Sequence, residues 1–207
     1  MPAFRFSLQR YPSAMPPPSS TRKSGNEPVG PWPDGTDRRL LAFWQWACSD
    51  VLDNTLRGLL AEWIVGTALG VTAGWRTEWA PEDLVSPEGI PIEVKSAAYV
   101  QAWAQKKQAP VRFGIARTTN WYGDTGTYGD GPERSAQVYV FCVLAERDPA
   151  KVNPLDICQW KFLVLPTRVL EEKVPTQKTI GLSSLRRLGA AEVGLADLPR
   201  AIRAAAE

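Results

Sequence analysis

Apolar residues recur at helical spacing from Leu40 onward, through Leu41, Phe43, Trp44, Ala47, Cys48, Val51 and Leu52. Thr36 and Asp37 stand ahead of this run as helix caps before Arg38. A second cap signal, Asp53-Asn54-Thr55, interrupts the series. It resumes with Leu56, Leu59, Leu60, Trp63, Ile64 and Val65 and stops at Gly70, a residue suited to a helix C-terminus. The pattern fits one kinked helix or two. Beyond it the period changes. Asp83-Leu84-Val85, the turn residues Ser86-Pro87-Glu88-Gly89 and the run Ile90-Pro91-Ile92-Glu93-Val94-Lys95 read as a β-hairpin. Its loop has three residues, and the last, Gly89, suits the left-handed position of a bulged turn. Pro91 lacks an N–H and belongs where the ladder is open or bulged.

Further strands are expected at 111–116, 138–144 and 160–165, and short helices at 167–172, 183–188 and 198–205. The glycine-rich stretch 118–135 reads as a long loop of the kind that binding sites use. The order is helix, hairpin, then mixed strands and helices. It predicts one α/β domain over 36–207, with a central mixed β-sheet flanked by helices. Residues 11–35 are rich in proline, serine and glycine, so 1–35 is expected to form a disordered or extended arm.

Composition narrows the chemistry. The 207 residues contain no histidine, and the three cysteines, Cys48, Cys142 and Cys158, stand far apart. A zinc site built on thiolate or imidazole is therefore disfavoured, and Ser-His-Asp or Cys-His catalysis has no imidazole to take the proton. Any metal must be hard and held by oxygen, which points to Mg²⁺, with Mn²⁺ as its substitute. No apolar run is long enough to span a bilayer and the N-terminus lacks a signal-peptide pattern, so a cytoplasmic protein without a membrane partner is expected. With 24 basic and 22 acidic residues, the net charge of +2 neither demands nor forbids a nucleic-acid partner.

The hairpin is where candidate chemistry gathers. Numbered symmetrically about Glu88, it sets Asp83 opposite Glu93, and Lys95 shares a strand face with Glu93. Two carboxylates can bind Mg²⁺, and the Val94 carbonyl is placed to add a third oxygen. The lysine can then orient water and neutralise charge on a phosphate. The alternative is a cross-strand surface ion cluster. Glu62 lies on a helical face with Gly58, Leu59, Val65 and Gly66, a small and apolar setting in which two glycines would let another backbone approach. It is either a site carboxylate or a boundary residue paired with Arg57 or another basic group. Arg57 itself reads as solvated or ion-pairing.

The run from Ser96 to Trp103 continues the strand or forms a helix. Tyr99 and Trp103 are expected in the core, and Gln101 is a candidate substrate contact. Lys106, Lys107, Arg112, Arg117 and Arg134 could grip phosphates, although each singly also fits a solvated charged face.

Leu59-Leu60-Ala61-Glu62-Trp63-Ile64-Val65, Asp83-Leu84, Gly89 and Ile92-Glu93-Val94-Lys95-Ser96 resemble the core of the PD-(D/E)XK nuclease superfamily. The stretches 138–145, 156–166 and 177–188 look like an uncharacterised bacterial group within it. The resemblance implies a restriction-endonuclease-like core and Mg²⁺-dependent hydrolysis of a nucleic acid, DNA before RNA, in a setting such as restriction or anti-phage defence. It implies Asp83 and Glu93 as metal ligands, Lys95 as the water-positioning residue and Glu62 as an outer or second-metal ligand. Glu82 stands where the name-giving proline would precede Asp83, a loosely kept position. The rival readings are an inactive nucleic-acid-binding or protein-interaction module on the same fold and a subunit active only in a larger assembly; a homodimer or larger assembly is a possible state of the chain.

Overall fold

The computed structural model describes residues 21–76, 80–108, 110–122 and 126–207. Residues 1–20 of the expected arm and 123–125 of the expected loop lie outside the described residues. In chain order the elements are β1 (Pro28–Val29), β2 (Arg38–Arg39), α1 (Leu40–Cys48), α2 (Asn54–Leu69), β3 (Leu84–Val85), β4 (Pro91–Ala98), β5 (Arg112–Gly114), β6 (Trp121–Tyr122), β7 (Thr127–Tyr128), β8 (Val138–Leu144), β9 (Trp160–Pro166), α3 (Thr167–Lys173), β10 (Thr179–Gly181), α4 (Leu182–Arg187), β11 (Ala191–Val193) and α5 (Leu198–Ala206). A five-stranded sheet of order β11-β9-β8-β4-β3 is the centre. Its β4 and β8 run parallel and its other pairs antiparallel, so the sheet is mixed.

The helical run divides into two. Asp53 Oδ1 accepts from Thr55 N at 2.9 Å and Leu56 N at 3.4 Å, starting α2, and Gly70 ends it at φ +73°. Thr36 and Asp37 do not cap α1. The Thr36 hydroxyl bonds Asp34 at 2.7 Å and Asp37 pairs with Arg39. The first N–H groups of α1 go instead to backbone: Leu40 N to Glu27 O at 3.0 Å and Leu41 N to Gly25 O at 2.9 Å. Residues 21–35 thus touch the rest of the chain, and Arg22 also donates to Ala73 O at 2.9 Å.

Two apolar layers cover the sheet. One face of β4, β8 and β9 (Ile92, Val94, Val140, Cys142, Phe162) packs on Ala61, Ile64 and Val65 of α2 and on Leu198 and Ile202 of α5. The opposite face (Ala97, Tyr139, Phe141, Val143, Leu163) meets Phe113 and Ile180 of the β5–β10 ribbon, Leu170 of α3 and Leu185 of α4. Every residue of β8 is buried, as the central strand of a doubly covered sheet must be. Each such buried aliphatic or aromatic side chain contributes about 1.5–3 kcal/mol of burial free energy. The stretch 118–135 is more ordered than a plain loop, with a Thr118–Glu133 bridge and the β6–β7 pair. Among the described residues no helix is long and apolar enough to cross a membrane.

Candidate active site

The hairpin register places the candidate residues. Leu84 pairs with Ile92 and Val85 with Pro91, a register that, carried one step past the end of β3, would face Asp83 to Glu93. Ser86 N donates to Ile90 O at 2.9 Å, and Gly89 closes the three-residue loop at φ +83°. Pro91 opens β4, where its missing N–H leaves no gap inside the ladder. The hydrogen-bonded pairs of this ladder are Ser86 with Ile90, then Leu84 with Ile92, so the next would join Glu82 to Val94. That pair does not form. The Asp83 carboxylate takes its place and accepts the Val94 N–H at 2.8 Å. The Val94 carbonyl, which in an extended strand points the same way as its N–H, is left facing the gap beyond the end of β3.

Glu93 and Lys95 share the sheet face of Ala97 and Tyr139, and they form an ion pair with side chains 19% and 32% exposed. Burial raises the Glu93 pKa above the usual carboxylate range; Lys95 opposes this, and the charges of Asp83 and Glu62 add to it. These mutual influences locate the three carboxylates near one another, although they do not share one cavity. Glu93 and Lys95 line a cavity of about 210 Å³ with Arg134, Ser135 and Tyr139. Asp83 and Glu62 line another, of about 330 Å³, with Arg76. Among the described residues no three Asp, Glu or Cys side chains already form a metal-binding set.

Glu62 is a half-buried residue of α2, and its partner is Arg76, not Arg57, at 2.5 Å and 3.3 Å. Of the two glycines flanking its face, only Gly66 serves close approach. A Cβ there would meet Thr72 Cγ2 at 2.9 Å and Leu84 Cδ2 at 3.3 Å, so α2 presses directly on the strand residue beside Asp83. At Gly58 nothing lies within 4 Å.

Arg57 departs from the expected solvated cation. It is 4% exposed, and donates to Ser96 Oγ at 3.2 Å, Leu52 O at 3.0 Å and Asn54 Oδ1 at 2.6 Å. Burial lowers its pKa and the charge of Asp53 works against that. The reason is packing: residue 57 falls on the α2 face over β4, and the guanidinium bonds the residue that follows Lys95.

Gln101 lies apart from Glu93. β4 ends at Ala98 and no helix follows, because Gln101 Nε2 bonds Ala98 O at 2.7 Å and Gln105 Oε1 takes Gln101 N–H at 2.9 Å. Tyr99 packs partly on the second core, under the Arg147 guanidinium at 3.7 Å. Trp103 is 55% exposed rather than core. Arg134 and Arg117, candidate phosphate grips, are both engaged within the protein. Arg134 holds Ile115 O at 2.8 Å and Glu171 at 2.7 Å, and Arg117 pairs with the same Glu171.

One neighbour of the site had no sequence signal of its own. Tyr139 pairs with Glu93 across the parallel strands, and burial, then the Glu93 charge, pushes its phenol pKa up. A polar atom within the otherwise apolar run 138–144 was the only available hint.

Comparison with known proteins adds a family. The sequence model described as bacteriophage T4 endonuclease IV matches residues 32–184, which include Glu62, Asp83, Glu93, Lys95 and Gln101. No curated protein and no solved structure matches. With about three-quarters of its length matched, from ahead of α1 into α4, the chain belongs to the bacteriophage T4 endonuclease IV family, a family of nucleases.

Proposed function

We propose that the chain is a Mg²⁺-dependent nuclease of the PD-(D/E)XK type that hydrolyses phosphodiester bonds, acting on DNA in preference to RNA. The observation that carries this reading is the broken ladder position. Asp83 leaves the strand to take the Val94 N–H, beside an open carbonyl and opposite a Glu93 paired with Lys95. Such a donor set, all oxygen, fits a hard divalent cation. The Asp83 Oδ1 carries no hydrogen bond among the described residues, and Glu93 is desolvated and close to two like charges. Asp83, Glu93 and the Val94 carbonyl would hold the ion, with Glu62 as an outer ligand.

Bound there, Mg²⁺ supplies a Lewis acid that screens phosphate charge and makes water more acidic. The rest falls to the protein. Lys95, half-buried and paired with Glu93, would hold the attacking water and offset charge developing on the phosphate. Arg57, through Ser96, fixes the strand that carries Lys95. Arg76 holds Glu62 in place.

The test is cleavage of DNA and RNA in several forms by purified protein, with Mg²⁺, Mn²⁺, Ca²⁺ and excess chelator. Mg²⁺ and Mn²⁺ should support cleavage of DNA, Ca²⁺ binding alone, and chelator neither product nor nicking. Asp83→Ala and Glu93→Ala should lose activity while keeping the native circular dichroism spectrum. Cleavage in chelator by protein free of contaminating nuclease, or wild-type rates from Asp83→Ala, overturns the assignment.

A further inference from the structure

Most cations of this chain are spoken for. Among the described residues, every lysine and arginine but four donates a hydrogen bond or joins an ion pair. The four are Lys106, Lys107, Arg112 and Lys178, all exposed. They are not scattered. Lys106, Lys107 and Arg112 line a groove of about 600 Å³ at the C-terminal end of β4. Arg112 and Lys178 line a second of about 590 Å³, and the two grooves share Pro110, Val111 and Arg112, so they form one trough. No aspartate or glutamate lines either part among the described residues.

On a chain with 22 acidic residues and a net charge of only +2, this excess of positive charge is local. Unpaired cations along an acid-free trough repel one another, and a polyanion relieves that repulsion while releasing its own counterions. The position of the trough matters as much as its charge. Its floor includes Ser96, Ala97 and Ala98, the three residues that follow Lys95 on β4. A polyanion lying in it therefore runs toward the end of the strand that carries Glu93 and Lys95.

We propose that this trough is the track for the sugar-phosphate backbone of the nucleic acid, with Lys106, Lys107, Arg112 and Lys178 contacting phosphates. This rests on the reading of the chain as a nuclease and adds to it a binding surface separate from the carboxylate cluster. Phosphate contacts of this kind set position and affinity without reading bases.

The experiment measures binding of a fluorescein-labelled oligonucleotide, single-stranded and duplex, by anisotropy over a salt series in chelator. No cleavage is needed. The variant K106Q/K107Q/R112Q/K178Q should bind at least about tenfold more weakly than wild type. Its plot of log affinity against log salt should also be shallower by about two to four, at roughly 0.7–0.9 per lost phosphate contact. K23Q/K151Q/K161Q/K173Q removes the same charge elsewhere and should bind within about twofold of wild type. Equal losses in both variants, or wild-type affinity and slope in the trough variant, overturn the proposal. A wild-type protein that binds through the trough but never cleaves with Mg²⁺ defeats the nuclease reading and leaves the trough standing. Cleavage by wild type with an unaffected trough variant does the reverse.

Discussion

Gly58 and Gly66 sit on the same helix, eight residues apart, and alanine at each should change stability in opposite directions. Both lie inside α2, where replacing glycine by alanine gains about 0.5–1 kcal/mol from the restricted unfolded chain and better helix propensity. At Gly58 nothing lies within 4 Å of the new methyl, so that gain should appear nearly whole. At Gly66 the methyl would stand 2.9 Å from Thr72 Cγ2 and 3.3 Å from Leu84 Cδ2, and a β-branched side chain such as threonine has little room to turn away. Overpacking of that kind costs about 1–3 kcal/mol, which offsets the propensity gain and leaves a net loss of about 0–2.5 kcal/mol. For a chain of this length 1 kcal/mol moves the melting temperature by about 2–4 °C, so the two variants should melt on opposite sides of wild type. Leu84 adjoins Asp83, so Gly66→Ala should also slow cleavage, by about tenfold to a hundredfold if the carboxylate shifts by a fraction of an ångström. Gly58→Ala should cleave as wild type does. Melts in chelator and initial rates with Mg²⁺ read both effects. If Gly66→Ala melts as high as Gly58→Ala and keeps full activity, the contact between α2 and β3 does not position Asp83 and the reasoning fails.

Without metal, Asp83→Ala strands the buried Val94 N–H and should lower the melting temperature, whereas Asp83→Asn keeps an acceptor for that N–H, removes one of several neighbouring negative charges and should hold or raise it; a large drop for Asp83→Asn in a chelator melt would contradict a repelling cluster. Lys95→Ala should have the opposite sign and lower apo stability by about 1 kcal/mol, read by urea titration, since it takes away the partner of a half-buried carboxylate. Arg57→Ala strands the Leu52 carbonyl, Asn54 and Ser96 and leaves a cavity, so a loss of about 2–4 kcal/mol is expected; a change below about 0.5 kcal/mol would show that the guanidinium is not the clamp described. Hydrogen bonds from Arg117, then from Arg134, hold the Glu171 carboxyl below its usual range. Its contribution to stability is therefore present above the unfolded carboxylate pKa and is lost as pH falls through the depressed folded value. Glu171→Gln should accordingly flatten the acid side of the stability curve, and an unchanged curve would refute the link. Deleting residues 1–20 should leave the melt unchanged, whereas deleting 1–35 also removes the carbonyls of Gly25 and Glu27 that serve α1 and should lower it.

What the sequence disclosed follows from the range of the forces involved. Asp53, Gly70 and Gly89 act within a few residues, so the start and end of α2 and the hairpin loop could be placed from local chemistry, and the register of Leu84 against Ile92 came with the loop. The runs 138–144 and 160–165 were visible because strands covered on both faces are apolar throughout. The parallel pairing of β4 with β8 joins segments more than forty residues apart, and no periodicity encodes it. That pairing is what brings Tyr139 beside Glu93. Arg57 was misjudged for a related reason: its burial depends on where β4 crosses α2, and its partner Ser96 lies thirty-nine residues away. Thr36 and Asp37 looked like caps because their chemistry is right, but Asp34 and Arg39 compete for them and backbone from residues 25–27 does the capping.

Where local rules were broken is itself informative. A strand through an apolar sheet should not bury a carboxylate, and a hairpin ladder in register should not stop one pair short of a free carbonyl. Half-buried Glu93 comes close to the first and the missing Glu82–Val94 pair is the second, and both occur within two residues of Lys95. Folding alone offers no return for either. A strand that simply continued to Glu82 would satisfy the Val94 carbonyl, and an apolar residue at 93 would remove the desolvation that raises that carboxyl's pKa. Conflicts between local preference and global fold that cluster at one spot are expected where a site is functional or strained, and they support the proposed reading of this one. The four cations beyond Ala98 are a further departure of the same kind, since among the described residues no aspartate or glutamate lines their trough to offset their mutual repulsion. On the proposed reading, a phosphodiester with its metal would supply both: further positive charge for the carboxylates, negative charge for the trough.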